Sequence, residues 1–135
     1  MNIKILFLVL TFLLPLVSCS NETTEEHWEK ISENEKASQY VDFGTLREVD
    51  EYLHYSEITD FRVRDEVAGF LSYKFHIKAD CRMFRFKVLE TVFYEQAMGR
   101  GVPLGRLPAT GQHAEWQQAP PNSVNKDVLN AVCSR

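Results

Sequence analysis

"LSYKFHIKADC", residues 71–81, decides the architecture. Leu71, Tyr73, Phe75, Ile77, Ala79 and Cys81 share one parity, and Lys74, His76, Lys78 and Asp80 share the other. Strict two-residue alternation predicts a half-buried β-strand with one face in a core and the other in water. Cys81 stands on the apolar side. The strand therefore delivers a sulfur to the core, and a partner for it must come from elsewhere in the chain.

Only Cys19, Cys81 and Cys133 are available. The last lies in "PPNSVNKDVLNAVCSR", residues 120–135. Pro120 and Pro121 break what precedes, Asn122 or Ser123 can cap, and Val124, Val128, Ala131 and Val132 recur at helical spacing. Leu129 and Cys133 extend the same apolar arc. So short a helix is marginal alone in water, and a Cys81–Cys133 disulfide would pin it to the sheet. Over a separation of 52 residues the loop-entropy model gives such a bridge roughly 4 kcal/mol. Two free thiols or a redox pair are the alternatives, but no Cys-x-x-Cys spacing or neighbouring histidine points to thiolate chemistry.

Cys19 has a different job. "MNIKILFLVLTFLLPLVSCS", residues 1–20, carries one cation, Lys4, and then an apolar stretch over residues 5–17. The stretch is short for a membrane span, which needs roughly 20 apolar residues, and has the proportions of a secretory signal. Ser18 and Ser20 would suit an ordinary signal peptidase. Leu16-Val17-Ser18-Cys19 also matches a bacterial lipobox, in which the cysteine sulfur takes diacylglycerol and becomes the new N-terminus. On that reading residues 1–18 are a lipoprotein signal peptide, residues 19–27 a lipidated polar tether, and residues 28–135 the folded domain. Each buried methylene contributes about 0.8 kcal/mol, so two or three acyl chains anchor permanently where one does not. Ser20 replaces the aspartate that would favour inner-membrane retention, which predicts the outer membrane.

An exported chain keeps its disulfides, and the composition fits one globular domain: 135 residues, 44% hydrophobic and 12% aromatic. Residues 20–61 hold twelve acids and three bases, a net of −9, whereas residues 62–106 hold nine bases and five acids, a net of +4. No concentrated basic domain emerges, so a nucleic-acid reader is not expected. Strands are predicted near residues 28–32 and 39–43. Residues 45–61 are rich in β-branched and aromatic side chains without a clear face. Past Cys81 the apolar parity reverses to Phe84, Phe86 and Val88, which requires a turn or bulge at residues 79–82. "GRGVPLGRLPATG" reads as loop. The expected class is α+β: a single antiparallel sheet of about six strands plus the C-terminal helix.

Chemistry is sparse. His27, His54, His76 and His113 show no metal-ligand spacing, and Gly99, Gly101 and Gly105 miss a phosphate-binding pattern and open no helix. Asp80 is expected to hydrogen-bond the turn backbone, and Trp116 to pack at the helix entry. No serine triad, carboxylate dyad, metal or cofactor motif stands out, so no enzyme is expected. Lys74, Lys78, Arg82, Arg85 and Lys87 could form a cationic stripe across two strands, able to bind acidic segments of a protein partner or anionic headgroups. A plain solvated sheet face is the alternative.

"YVD" (40–42), "TLR" (45–47), "ITDF" (58–61), "SYKFHIKADC" (72–81), "YEQAMGRG" (94–101), "EWQQAPPNSV" (115–124) and the terminal "VC" (132–133) together resemble the surface-adhesin E domain of exported bacterial proteins. The resemblance covers residues 28–133. It implies an antiparallel sheet of about six strands, a C-terminal helix tied to its concave side by a disulfide, and a lipoprotein anchor. It also implies contact with host extracellular-matrix or plasma proteins, although a fold does not by itself transfer a function. The acidic chain departs from the basic docking segment that matrix ligands would favour. An envelope-maintenance or enzyme-inhibiting lipoprotein of the periplasm is the rival reading, and an exposed sheet would also suit a homodimer.

Overall fold

The computed structural model describes residues 26–135, so the signal sequence, Cys19 and the tether up to residue 25 lie outside the described residues. Six strands form an antiparallel meander in chain order: β1 (Trp28–Glu33), β2 (Ala37–Val49), β3 (Tyr52–Phe61), β4 (Ser72–Asp80), β5 (Arg85–Tyr94) and β6 (Pro103–Pro108). A two-residue strand, β7 (Gln117–Gln118), pairs with the start of β5, and the helix α1 (Val124–Cys133) follows.

The alternation in β4 works as its spacing predicts. Ile77 and Ala79 are buried beneath the helix, while Lys74, His76 and Lys78 point to the opposite, outer face. Pairing of Ala79 with Phe86 and Ile77 with Val88 shows how the parity reversal is resolved. A four-residue turn at 81–84, with Phe84 in the left-handed region at φ 51°, brings β5 back so that both apolar sets face the helix. Leu89 is then bulged opposite the His76–Ile77 step, and beyond it Thr91 and Phe93 take over that face.

Asp80 organises this turn. It is 1% exposed; one carboxylate oxygen accepts the N–H groups of Arg82 and Met83, both at 3.2 Å, and the other takes Arg85 at 3.1 Å. Burial opposes the charge, but the Met83 N–H and the Arg85 and Arg82 guanidiniums outweigh it and hold the Asp80 carboxyl below its ordinary pKa. From the turn so held, Cys81 bonds Cys133, with Cα atoms 5.6 Å apart.

The helix begins at Ser123, whose Oγ accepts the Lys126 N–H at 3.2 Å. It buries Val128, Leu129 and Val132 against Val41, Tyr55, Ile77, Ala79, Phe86 and Val88. Full burial of each such side chain contributes about 1.5–3 kcal/mol.

Two expectations need correction. Residues 103–108 form the edge strand β6 rather than a loop. All six residues are exposed and lack alternation, because β6 pairs only with β5 and Pro103 and Pro108 bracket it. Trp116 does not pack at the helix entry. Since β7 lies against β5, Trp116 turns to the outer face and stacks on Tyr52, ring centroids 5.4 Å apart.

The disulfide closes the fold across 52 residues, so its removal is expected to lower unfolding free energy by about 2–4 kcal/mol. Denaturant unfolding of Cys133→Ser against the parent, with and without reductant, checks this. Coincident midpoints in all conditions would show that the helix holds without its bridge.

Candidate functional site

Each face of the sheet presents a distinct chemistry. On the helix face, beyond the reach of α1, Phe61, Phe70, Tyr73, Phe75 and Phe93 form a chain of ring contacts with centroids 4.7–6.1 Å apart. Such offset and edge contacts add about 0.5–1.5 kcal/mol per pair beyond burial. An apolar cleft of about 500 Å³ runs between Tyr73, Phe75, Phe93, Leu107 and His113.

An adjoining cavity of about 330 Å³ includes Gln39, Glu57, Thr59 and Tyr73 in its lining. Glu57 is 6% exposed on this face. The Thr59 hydroxyl donates to Gln39 Oε1 at 2.6 Å, and Gln39 Nε2 donates to Glu57 Oε2 at 2.8 Å. Burial raises the Glu57 carboxyl to about 7, against the hydrogen bonds from Gln39 and Tyr55 that favour its ionised form.

The outer face carries the cations. Lys78 of β4 and Lys87 of β5 are direct register partners. The Lys78 ammonium lies 4.1 Å from the Tyr52 ring centre, while Arg85 and Lys87 lie 4.6 and 5.1 Å from that of Trp116. Three of the five predicted cations thus converge on one aromatic pair, which offsets part of their mutual repulsion. The other two stand apart. Lys74 is drawn to Glu26 at 3.0 Å and over the Trp28 ring at 5.1 Å, and Arg82 reaches Glu51 from the hairpin turn at 3.4 Å.

The sequence reading missed Arg47 and His54. Register pairs Arg47 with His54 and His54 with Lys78, so the row Arg47–His54–Lys78–Lys87 crosses four neighbouring strands. Burial lowers the His54 pKa, and the charges of Lys78 and Arg47 lower it further against the weaker pull of Asp50. No local signal marks Arg47, because a bulge between Asp42 and Arg47 resets which face β2 presents.

Next to this row opens a cavity of about 380 Å³ whose lining includes Thr45, Arg47, His54, Ser56, His76 and Glu90. Ser56 Oγ stands 3.4 Å from His76 Nδ1, and His76 Nε2 stands 3.7 Å from Glu90. The order is that of a serine triad, but both contacts exceed the roughly 2.6–3.2 Å of a working nucleophile–base pair. Ser56 is also 5% exposed. Burial lowers the His76 pKa, and Lys74, Arg106 and Arg47 reinforce this against Glu90. Among the described residues no group of three or more His, Cys, Asp or Glu side chains could hold a metal, and no helix is long and apolar enough to cross a membrane.

A family model described as surface-adhesin protein E matches residues 28–134. No curated protein matches the sequence. Among solved structures, crystal form II of Haemophilus influenzae protein E superposes with a TM-score of 0.60 at 13% identity, covering 79% of this chain and 87% of that one. A second structure of protein E from Haemophilus influenzae gives 0.58 at 15% identity, covering 79% and 83%. Protein E from non-typeable Haemophilus influenzae gives 0.57 at 15%, covering 79% and 75%. At these identities the likeness is one of fold.

Glu57 makes stability depend on pH in an unusual direction. Its pKa is about 7 in the folded chain and near 4.5 when exposed, so the fold binds an extra proton between these values. The stabilisation is complete below about pH 4.5 and is lost as pH rises through 7, by at most about 3 kcal/mol. Thermal unfolding from pH 5 to 8 should show this fall in the parent and a flatter profile in Glu57→Gln. Parallel profiles would mean that Glu57 ionises without penalty.

Proposed function

Because the chain belongs to the surface-adhesin protein E family, we propose that it is a lipid-anchored envelope protein that acts by contact with other proteins, as an adhesin for host extracellular-matrix or plasma proteins. The supporting observation is the extent of the match. Residues 28–134 take in every strand and the helix, so the whole sheet–helix unit, rather than a fragment of it, is of adhesin type.

Anchoring at Cys19 through diacylglycerol, with the protein held at the outer membrane, is part of this reading. The N-terminal segment enters the domain at Trp28, whose ring lies under Lys74 on the outer face. A fully extended tether over residues 19–27 would span at most roughly 32 Å, so the domain works close to the bilayer.

Contact is proposed at the outer face, where Lys78, Arg85 and Lys87 surround Tyr52 and Trp116. Arginine and aromatic side chains are the usual anchors of protein interfaces, and desolvating a cation against a ring strengthens it. The reading is non-enzymatic: recognition by charge and ring contacts, with no bond made or broken.

Cells carrying the protein should bind immobilised matrix or plasma proteins more strongly than a deletion strain. Lys78→Glu/Lys87→Glu should lower that binding about tenfold, since charge reversal replaces attraction with repulsion. Equal attachment of parent and deletion strains would overturn the adhesin reading. Independently, Cys19→Ala should move the protein from the membrane fraction to the soluble fraction, and mass spectrometry of the parent N-terminus should find acyl chains on Cys19. An unmodified N-terminus would remove the anchor.

A further inference from the structure

The cross-strand row carries more charge than sheet stability favours. Like charges directly opposite one another destabilise a sheet, yet Lys78 and Lys87 are register partners, and Arg47 continues the same row across His54, whose pKa burial and these cations lower. Among the described residues no carboxylate lies within ion-pair distance of Arg47, Lys78 or Lys87. With strands about 4.8 Å apart, the row presents four basic positions over about 14 Å. The cavity of about 380 Å³ opens on it, and its lining adds the hydroxyls of Thr45 and Ser56 and the imidazole of His76. Glu90, the carboxylate in that lining, is held by Arg106 at 2.9 Å.

We propose that the row and this cavity bind a sulfated polysaccharide, with the chain lying across the strands, its anionic groups on Arg47, His54, Lys78 and Lys87, and one sugar ring in the cavity. The inference rests on the outer face being a contact face, but it names a glycan rather than a protein as ligand. A row one residue wide suits a thin, linear polyanion. A lipid surface is broad and would also meet the exposed carboxylates of Asp50 and Glu51 at the β2–β3 turn. Single-stranded nucleic acid needs open aromatic faces for its bases. Here Trp116 and Tyr52 cover each other and carry Arg85, Lys87 and Lys78 on their rings. An extended acidic peptide presents side chains on one side every roughly 6.8 Å, out of step with the row. A cavity beside the cations suits a ligand whose charges are borne on rings rich in hydroxyls.

The test measures binding of the full mature chain to heparin, the probe for a sulfated glycan, across a salt series. Arg47→Gln/Lys87→Gln should weaken binding about tenfold and flatten its salt dependence, while Lys36→Gln/Lys126→Gln, which removes equal charge elsewhere, should leave it unchanged. Heparin should also raise the pH at which the His54 imidazole titrates, because an adjacent anion favours its charged form. Equal losses in both double variants, or an unmoved His54, would overturn the proposal. So would competition by polyglutamate, oligothymidylate or anionic vesicles as effective as that of heparin, each assigning the row to another class of ligand. Enzymatic removal of glycans from a matrix surface separates the two readings: binding that survives it upholds the protein-directed adhesin and counts against the glycan.

Discussion

The β4–β5 turn is the constraint on which the rest depends. Asp80 is buried and charged, and it stays charged because two backbone N–H groups and Arg85 converge on it. A buried carboxylate left without such partners would cost several kcal/mol. The partners therefore close the turn in a single conformation, with Phe84 left-handed. Cys81 emerges from that turn, and its bond to Cys133 sets where the helix ends. With its C-terminal end tied there, α1 lies over Ile77, Ala79, Phe86 and Val88 and completes the core.

The placement of the helix divides the sheet's labour. It covers one part of one face, leaving the aromatic chain from Phe61 to Phe93 uncovered beyond it. On that same face Glu57 is shut in among apolar neighbours with only Gln39 and Tyr55 to support its charge. Among the three buried acids of the described residues, Asp42, Glu57 and Asp80, the last two are thus opposites. Asp80 is ringed by donors and favours its ionised form, whereas Glu57 has few and resists it.

The outer face is covered in part by a short 3-10 helix at Ala97–Gly99, which lies over Ile58 and Lys74, and the row of cations beyond it stays in water. Lys78 and Lys87 tolerate their opposition because each lies over a different ring of the Tyr52–Trp116 pair. The ion pairs elsewhere on this side, such as Arg106 with Glu90 and Lys74 with Glu26, contribute little to stability individually. They matter by leaving Arg47, Lys78 and Lys87 as the cations still available to a ligand.

Much of this was legible in the chain. Alternation over residues 71–81 marked β4 and its faces, and the spacing of Val124, Val128 and Val132 marked the helix. The polar caps and the cysteine pairing followed from side-chain chemistry at known positions. Apart from the cysteine pairing, which spans 52 residues, these features are local: a periodicity of two or near four residues depends on backbone geometry that every chain shares. The edge strand β6, the turn of Trp116 to the outer face, the burial of Glu57 and the recruitment of Arg47 and His54 were decided by tertiary structure alone. Each depends on register between strands, and an odd number of bulged residues, as between Asp42 and Arg47 or at Leu89, reverses every side chain that follows. Such a reversal leaves composition and spacing untouched, so only the paired strands reveal it.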